Sequence, residues 1–213
     1  MVHKTSVVRS SYNFIVALLM LTALVVLPAT SEAMTVTELD FTNGSVALLR
    51  NGNQVLGGNF TANGQIVMGQ YQPLPDIIAP VPLGPYTFSL FTGGPNPVPT
   101  GSTSGSTITA DLTALSAKLT GPFLSPSGLM MNIGGNATGA FNEMTHAFSG
   151  LTWTHALTGI TGLPSTWGSP SNLALRFTLN GAAQLAAVPL PGAALLFLSG
   201  LSGLALAHKR FSA

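Results

Sequence analysis

Cysteine is absent from this 213-residue chain. That excludes a disulfide framework, a thiolate metal site and a cysteine nucleophile. Charge is nearly as scarce, at 6% of residues, with seven Lys and Arg against six Asp and Glu. Nucleic-acid binding needs basic stripes, and none can be drawn from so few cations. No helical apolar period occurs between the two ends of the chain. Ser and Thr abound, yet no Gly-x-Ser-x-Gly elbow or serine–base pair is visible. His146 and His155 lie nine apart, a spacing that matches no helical metal site, so neither metal nor other cofactor is expected. No exact internal repeat is present.

What is present falls into three blocks: 1–33, 34–187 and 188–213. In the first, Lys4 and Arg9 form a positive start, and an apolar run from Phe14 to Leu27 is broken only by Thr22. Pro28 ends it. Ser31-Glu32-Ala33 then places small side chains at the two positions a signal peptidase reads, so cleavage is expected after Ala33. Ala29 is a poorer site, because Leu27 would occupy the upstream specificity position. The alternative is an uncleaved N-terminal anchor. A leader of this kind engages the Sec translocon, and export without disulfides suits a bacterial envelope better than a eukaryotic secretory route.

The third block has an internal order of its own. Val188-Pro189-Leu190-Pro191 comes first, an uncharged run from Gly192 to Ala207 follows, and His208, Lys209 and Arg210 close it. As a helix the run would be about 24 Å long, the short edge of what a bilayer core of about 30 Å requires. Pro191 fits a first helical turn and holds Leu190 extended. Lys209 and Arg210 are expected on the cytoplasmic side. A buried core helix is the alternative, but such a helix would show a polar face, and only Ser199 and Ser202 interrupt the Leu, Ala and Gly. Ser199, Gly203 and Ala207 recur every four residues, a small-residue stripe that would let another membrane helix approach closely or arise by chance in so simple a composition.

Motif, apolar run and basic end together resemble the PEP-CTERM family of bacterial sorting signals, in its VPLPA variant. The resemblance covers about an eighth of the chain. It implies a Gram-negative host that makes exopolysaccharide, and a partner: the exosortase, a membrane-embedded transpeptidase thought to recognise and process such tails. Exopolysaccharide in the envelope or biofilm matrix is a second implied partner. Leu190 stands where the commoner form has Glu, which implies a variant-specific sorting enzyme, and Gly192 separates the motif from Ala193.

Block 34–187 is long enough for one domain with a sizeable core. It carries five acids and three bases. Its short apolar runs read as strands. Asn43-Gly44, Asn51-Gly52 and Asn63-Gly64 are favoured two-residue hairpin turns. Residues 69–85 hold five prolines and exclude a central strand. Tyr86, Phe88 and Leu90 alternate with polar residues, whereas Thr92 to Thr107 reads as a long mobile loop. Ile108, Ala110 and Leu112 alternate, and the phase then shifts to Leu115, Ala117 and Leu119, which requires a bend near Ala114. Ala137 to Trp153 reads as a hairpin around Asn142 to Thr145. Leu173, Leu175, Phe177 and Leu179 form a further strand, with Ala174, Arg176 and Thr178 on its other face. The fold class expected is all-β, an antiparallel sandwich or barrel between a signal peptide and a C-terminal transmembrane helix.

Candidates for chemistry in this block are few. Glu38 and Asp40 share one strand face roughly 7 Å apart. They make either a carboxylate pair for a carbohydrate-active enzyme or a solvated strand face. His146 reads as a loop residue and His155 as a hydrogen-bonded sheet residue. Trp153 reads as core, while Trp167, between Pro164 and Pro170, is a candidate platform for stacking on a sugar ring. Asn43, Asn59 and Asn136 sit in Asn-x-Ser/Thr sequons, which carry meaning only where the matching machinery exists. The expected protein is a non-enzymatic, exported envelope or matrix component. A permanently anchored β-domain and a secreted carbohydrate-active enzyme are the alternatives.

Overall fold

The first strand, β1 (Met34–Arg50), alternates buried and exposed residues through Val36, Leu39 and Phe41, and one of its flanks pairs with the last strand of the fold. The computed structural model describes residues 33–187, apart from 75, 76 and 79, together with Gly200. The segment 1–32, the expected sorting motif Val188, Pro189, Leu190 and Pro191, and the basic Lys209 and Arg210 lie outside the described residues. Among the described residues of 33–187 there is no α-helix, and among all the described residues no helix is long and apolar enough to cross a membrane.

After β1 come β2 (Asn53–Val67), the short β3 (Val81–Leu83) and β4 (Tyr86–Thr92). A hairpin of β5 (Thr100–Ser104) and β6 (Thr107–Asp111) follows, then β7 (Leu115–Thr120) and β8 (Leu129–Asn132). The last three are β9 (Asn136–Phe141), β10 (Ala147–Ala156) and β11 (Leu173–Leu185). The all-β expectation is borne out. Strands β1, β5, β6, β9, β10 and β11 pair in that order, and β11 closes back on β1, giving a six-stranded antiparallel barrel with β2 added along β1. The remaining four form a second sheet in the order β3-β4-β7-β8. Pro82 sits on its edge, where a missing amide costs no ladder bond.

The register around the barrel is carried by a row of hydroxyl residues. Thr35 pairs with Ser102, Ser102 with Thr109, and Thr109 with Thr138. Thr138 pairs with Thr152, Thr152 with Thr178, and Thr178 with Ser45. The circuit returns to β1 ten residues beyond its start. The strands are therefore staggered and tilted, which closing a sheet requires. The row faces outward. Its strand neighbours Ile108, Leu151, Phe177 and Leu179 face inward and join one core.

That core continues between the barrel and the second sheet, where Phe60 of β2 meets Phe88 of β4 edge to face at 5.6 Å. The chain crosses from β6 to β7 at Leu112 to Ala114, all but Thr113 fully buried, and this crossing is the phase shift legible in the sequence. Inward-facing residues of one sheet cannot keep their phase when the strand leaves for another.

Three sequence expectations fail here. Asn51-Gly52 is a hairpin turn with both residues at positive φ, 51° and 80°. Asn43-Gly44 and Asn63-Gly64 are not turns. They lie inside β1 and β2, and none of the four has positive φ. The β1–β2 register slips between Phe41 and Asn43, so these dipeptides sit at a β-bulge. Gly44 is needed there for space: a Cβ would come 2.7 Å from Phe60 Cζ. The third miss is the loop expected from Thr92 to Thr107, which contains β5. Four of its five residues are Ser or Thr, and it is held by backbone pairing to β6 over all five residues.

Candidate functional site

The two ends of the described domain lie next to each other. Ala33, the expected cleavage position, is exposed and directly precedes β1. At the other end, the Ala186 amide donates to the Thr35 carbonyl at 2.9 Å, and the Thr37 hydroxyl donates to the Gln184 carbonyl at 3.1 Å. Residues 33 and 187 therefore leave the barrel side by side, at one rim. The β9–β10 turn shares that rim, since the Ala183 amide donates to the His146 carbonyl. Met144 at its apex is 92% exposed.

Glu38 and Asp40 do share a face, as their spacing predicts. Gln184 Nε2 lies 3.0 Å from Glu38 Oε1 and 3.0 Å from Asp40 Oδ2, so one amide bridges the pair. Gln65 on β2 donates a second bond to Glu38. That bond lowers the Glu38 pKa, but partial desolvation, a hydrogen bond to Asp40 and the Asp40 charge outweigh it and raise the value above the ordinary 4.5. Only Asp40 of the two lines the adjoining shallow groove of about 320 Å³.

The histidines divide as the sequence suggested. His146 is exposed in its turn at φ 55°, its ring parallel to Phe141 at 6.2 Å. His155 is part-buried, with Nδ1 2.8 Å from the Gly134 carbonyl. Trp153 is core: its indole donates to the Ile133 carbonyl at 2.8 Å and its ring stacks on Phe177 at 5.0 Å. Trp167 corrects the expectation. It is 6% exposed, and the edge-to-face contact with Tyr86 at 5.4 Å seats it in the core, so its face is not offered to a sugar. Arg50 holds the 3₁₀ turn (Ser165–Trp167) in place by donating to the carbonyls of Thr166, at 3.1 Å, and Trp167, at 2.9 Å from Nε. The sequon residues Asn43, Asn59 and Asn136 are all exposed. Among the described residues no group of three or more His, Cys, Asp or Glu is placed to hold a metal ion.

Two grooves on the barrel's outer wall have no counterpart in the sequence reading. One, of about 420 Å³, runs over β5, β6 and β9, with Ser102, Thr109 and Thr138 along it and Asp111 and Asn136 at its side. The other, of about 340 Å³, runs over β2, β1, β11 and β10 and is lined by Ser45, Gln54, Asn59, Thr152, Arg176 and Thr178. The sequence signal for the second was the outward Arg176 and Thr178. Its other walls come from strands that only the register brings together. No family model, no curated protein and no solved structure matches the chain.

Proposed function

We propose that this chain is an exported bacterial envelope or matrix protein, associated with exopolysaccharide, whose β-domain binds or assembles and performs no reaction of its own. Residues 188–213 act as a sorting tail, cut by an exosortase-like membrane transpeptidase near Val188 to Ala193. The leader residues Lys4 and Arg9 with the apolar run behind them, and the tail's motif, apolar run and Lys209-Arg210, support this reading. The fold adds one observation that carries it further: the Ala186–Thr35 bond brings residues 33 and 187 to a single rim. A domain tethered at both ends to one membrane needs its ends on one side. If they left at opposite ends of the barrel, one connection would have to run back along its length.

Two prolines in four residues are a sequence that disfavours helix, and a helix would use internally the amides and carbonyls a protease cleft binds. Intact-mass and C-terminal peptide analysis of protein from the native host tests the proposal. Mature chain is expected to begin near Met34 and to end close to Pro191, and expression in a host without an exosortase should leave the tail attached and the protein in the inner membrane. Native mature protein still ending in Phe211-Ser212-Ala213 would reduce the tail to an ordinary anchor.

A further inference from the structure

We infer that the groove around Arg176 is a binding site for a carboxylate-bearing polysaccharide, with the guanidinium taking the carboxylate of one sugar residue. Arg176 projects outward from β11 and is exposed, and no described residue accepts a bond from it. The other described arginine, Arg50, is engaged by two carbonyls. The carboxylate on the neighbouring strand is far off: Asp40 lies seven residues along β1 from Ala47, the residue paired with Arg176, a distance of roughly 20 Å or more. An unpaired guanidinium in a groove is a fork of N–H donors matched in shape to a carboxylate.

The surroundings select the rest of the ligand. Gln54, Asn59, Ser45, Thr152 and Thr178 line the same groove, and the Thr152 and Thr178 hydroxyls are 3.0 Å apart. Amides and hydroxyls donate and accept in turn, as sugar hydroxyls require. At about 340 Å³ the groove sits at the small end of ligand sites, which begin at about 300 Å³. A phosphate group fits less well. It asks for several cations or a nest of free backbone amides, whereas here there is one cation and the strand amides are committed to pairing. No aromatic ring lines the groove, so stacking contributes nothing and the ion pair must supply much of the affinity.

A polymer has a path onward. The outward hydroxyl row passes unbroken from Thr178 through Thr152 and Thr138 to Thr109, and thus joins this groove to the second one. Asp111 at that far groove disfavours a second carboxylate, which confines the anionic contact to the Arg176 end. The envelope reading above enters only as the source of the polymer. The groove's chemistry does not depend on whether the tail is processed.

The test is calorimetric titration of the full chain in detergent with oligogalacturonate, with neutral dextran oligosaccharide and inorganic phosphate as comparison ligands. Oligogalacturonate should bind more tightly than either, and more weakly as salt is raised. Arg176→Ala should lose about tenfold or more of that affinity and Arg176→Lys a part of it, with the far-UV spectrum unchanged. Equal affinity in Arg176→Ala, preference for phosphate, or no binding of oligogalacturonate by wild type would each overturn the site. None of these outcomes bears on tail cleavage, which the mass analysis reads separately.

Discussion

The Ala186 amide and the Thr35 carbonyl meet at 2.9 Å, joining the two ends of the β-domain across the seam at which the barrel closes. The hydroxyl row that begins at Thr35 returns to β1 ten residues higher. One pairing thus fixes both the stagger of the strands and the rim from which the chain departs.

Cysteines placed at Thr35 and Ala186 should therefore cross-link in the folded chain. There is no native cysteine to compete. The bridge would enclose nearly the whole domain, and for a loop of that size chain entropy predicts about 4–5 kcal/mol of stabilisation, lost on adding reductant. Urea unfolding of the full chain in detergent, with and without reductant, reads it. Failure to cross-link would place the two ends apart.

Glycines 44 and 52 should respond differently to alanine. Gly52 has φ +80° and nothing near its missing Cβ, so Gly52→Ala costs only the left-handed backbone, about 1–2 kcal/mol. Gly44 has ordinary backbone, but its Cβ would press on the Thr178 carbonyl and the Phe60 ring. Gly44→Ala should cost more than Gly52→Ala, because strand pairing and core packing must both shift. Comparing the two urea midpoints decides between turn strain and crowding at the bulge.

Glu38 offers a pH signature. Its carboxyl holds a proton in the folded chain at pH values where the unfolded chain has released it, since the folded pKa is raised above 4.5. The stability this gives is complete below pH 4.5 and disappears as pH rises through the folded value. Glu38→Gln should abolish that drift. Asp40→Asn should move the Glu38 titration down and Gln65→Ala should move it up, followed by carboxyl NMR. A Glu38 titration that ignored Asp40 would contradict the shared-face geometry.

Strands with a buried side were legible wherever apolar and polar residues alternate, as in Tyr86 to Thr92 and Leu173 to Leu179. The hairpin at Asn142 was legible as well: its side chain accepts from the Met144 and Thr145 amides, the local bonding that makes Asn a turn residue. β5 was not, because Thr100 to Ser104 offers no apolar side chain and only its backbone partners make it a strand. Asn-Gly was ambiguous for a related reason. The dipeptide permits positive φ without requiring it, and at Asn43 the bulge and Phe60 decided instead. Trp167 was hidden by its Pro- and Ser-rich neighbours, since what seats it is Tyr86 and an arginine 117 residues earlier. The Arg176 groove draws its walls from four strands, so one strand's outward face revealed Arg176 and Thr178 and nothing of what stands opposite.

The seam between β1 and β11 also sets a timetable. A chain made from its N-terminus forms the β1–β2 hairpin early, across the tight turn at Asn51-Gly52, but the other flank of β1 has to wait for Leu173 to Leu185. Contacts so distant in sequence form slowly, because a large loop must close before they return any energy. Until then the longest strand of the domain presents an unpaired edge, with Glu38, Asp40 and Arg50 as its only charges to repel a second copy. A chain stopped short of Leu173 never seals that edge and is left with a template for aggregation.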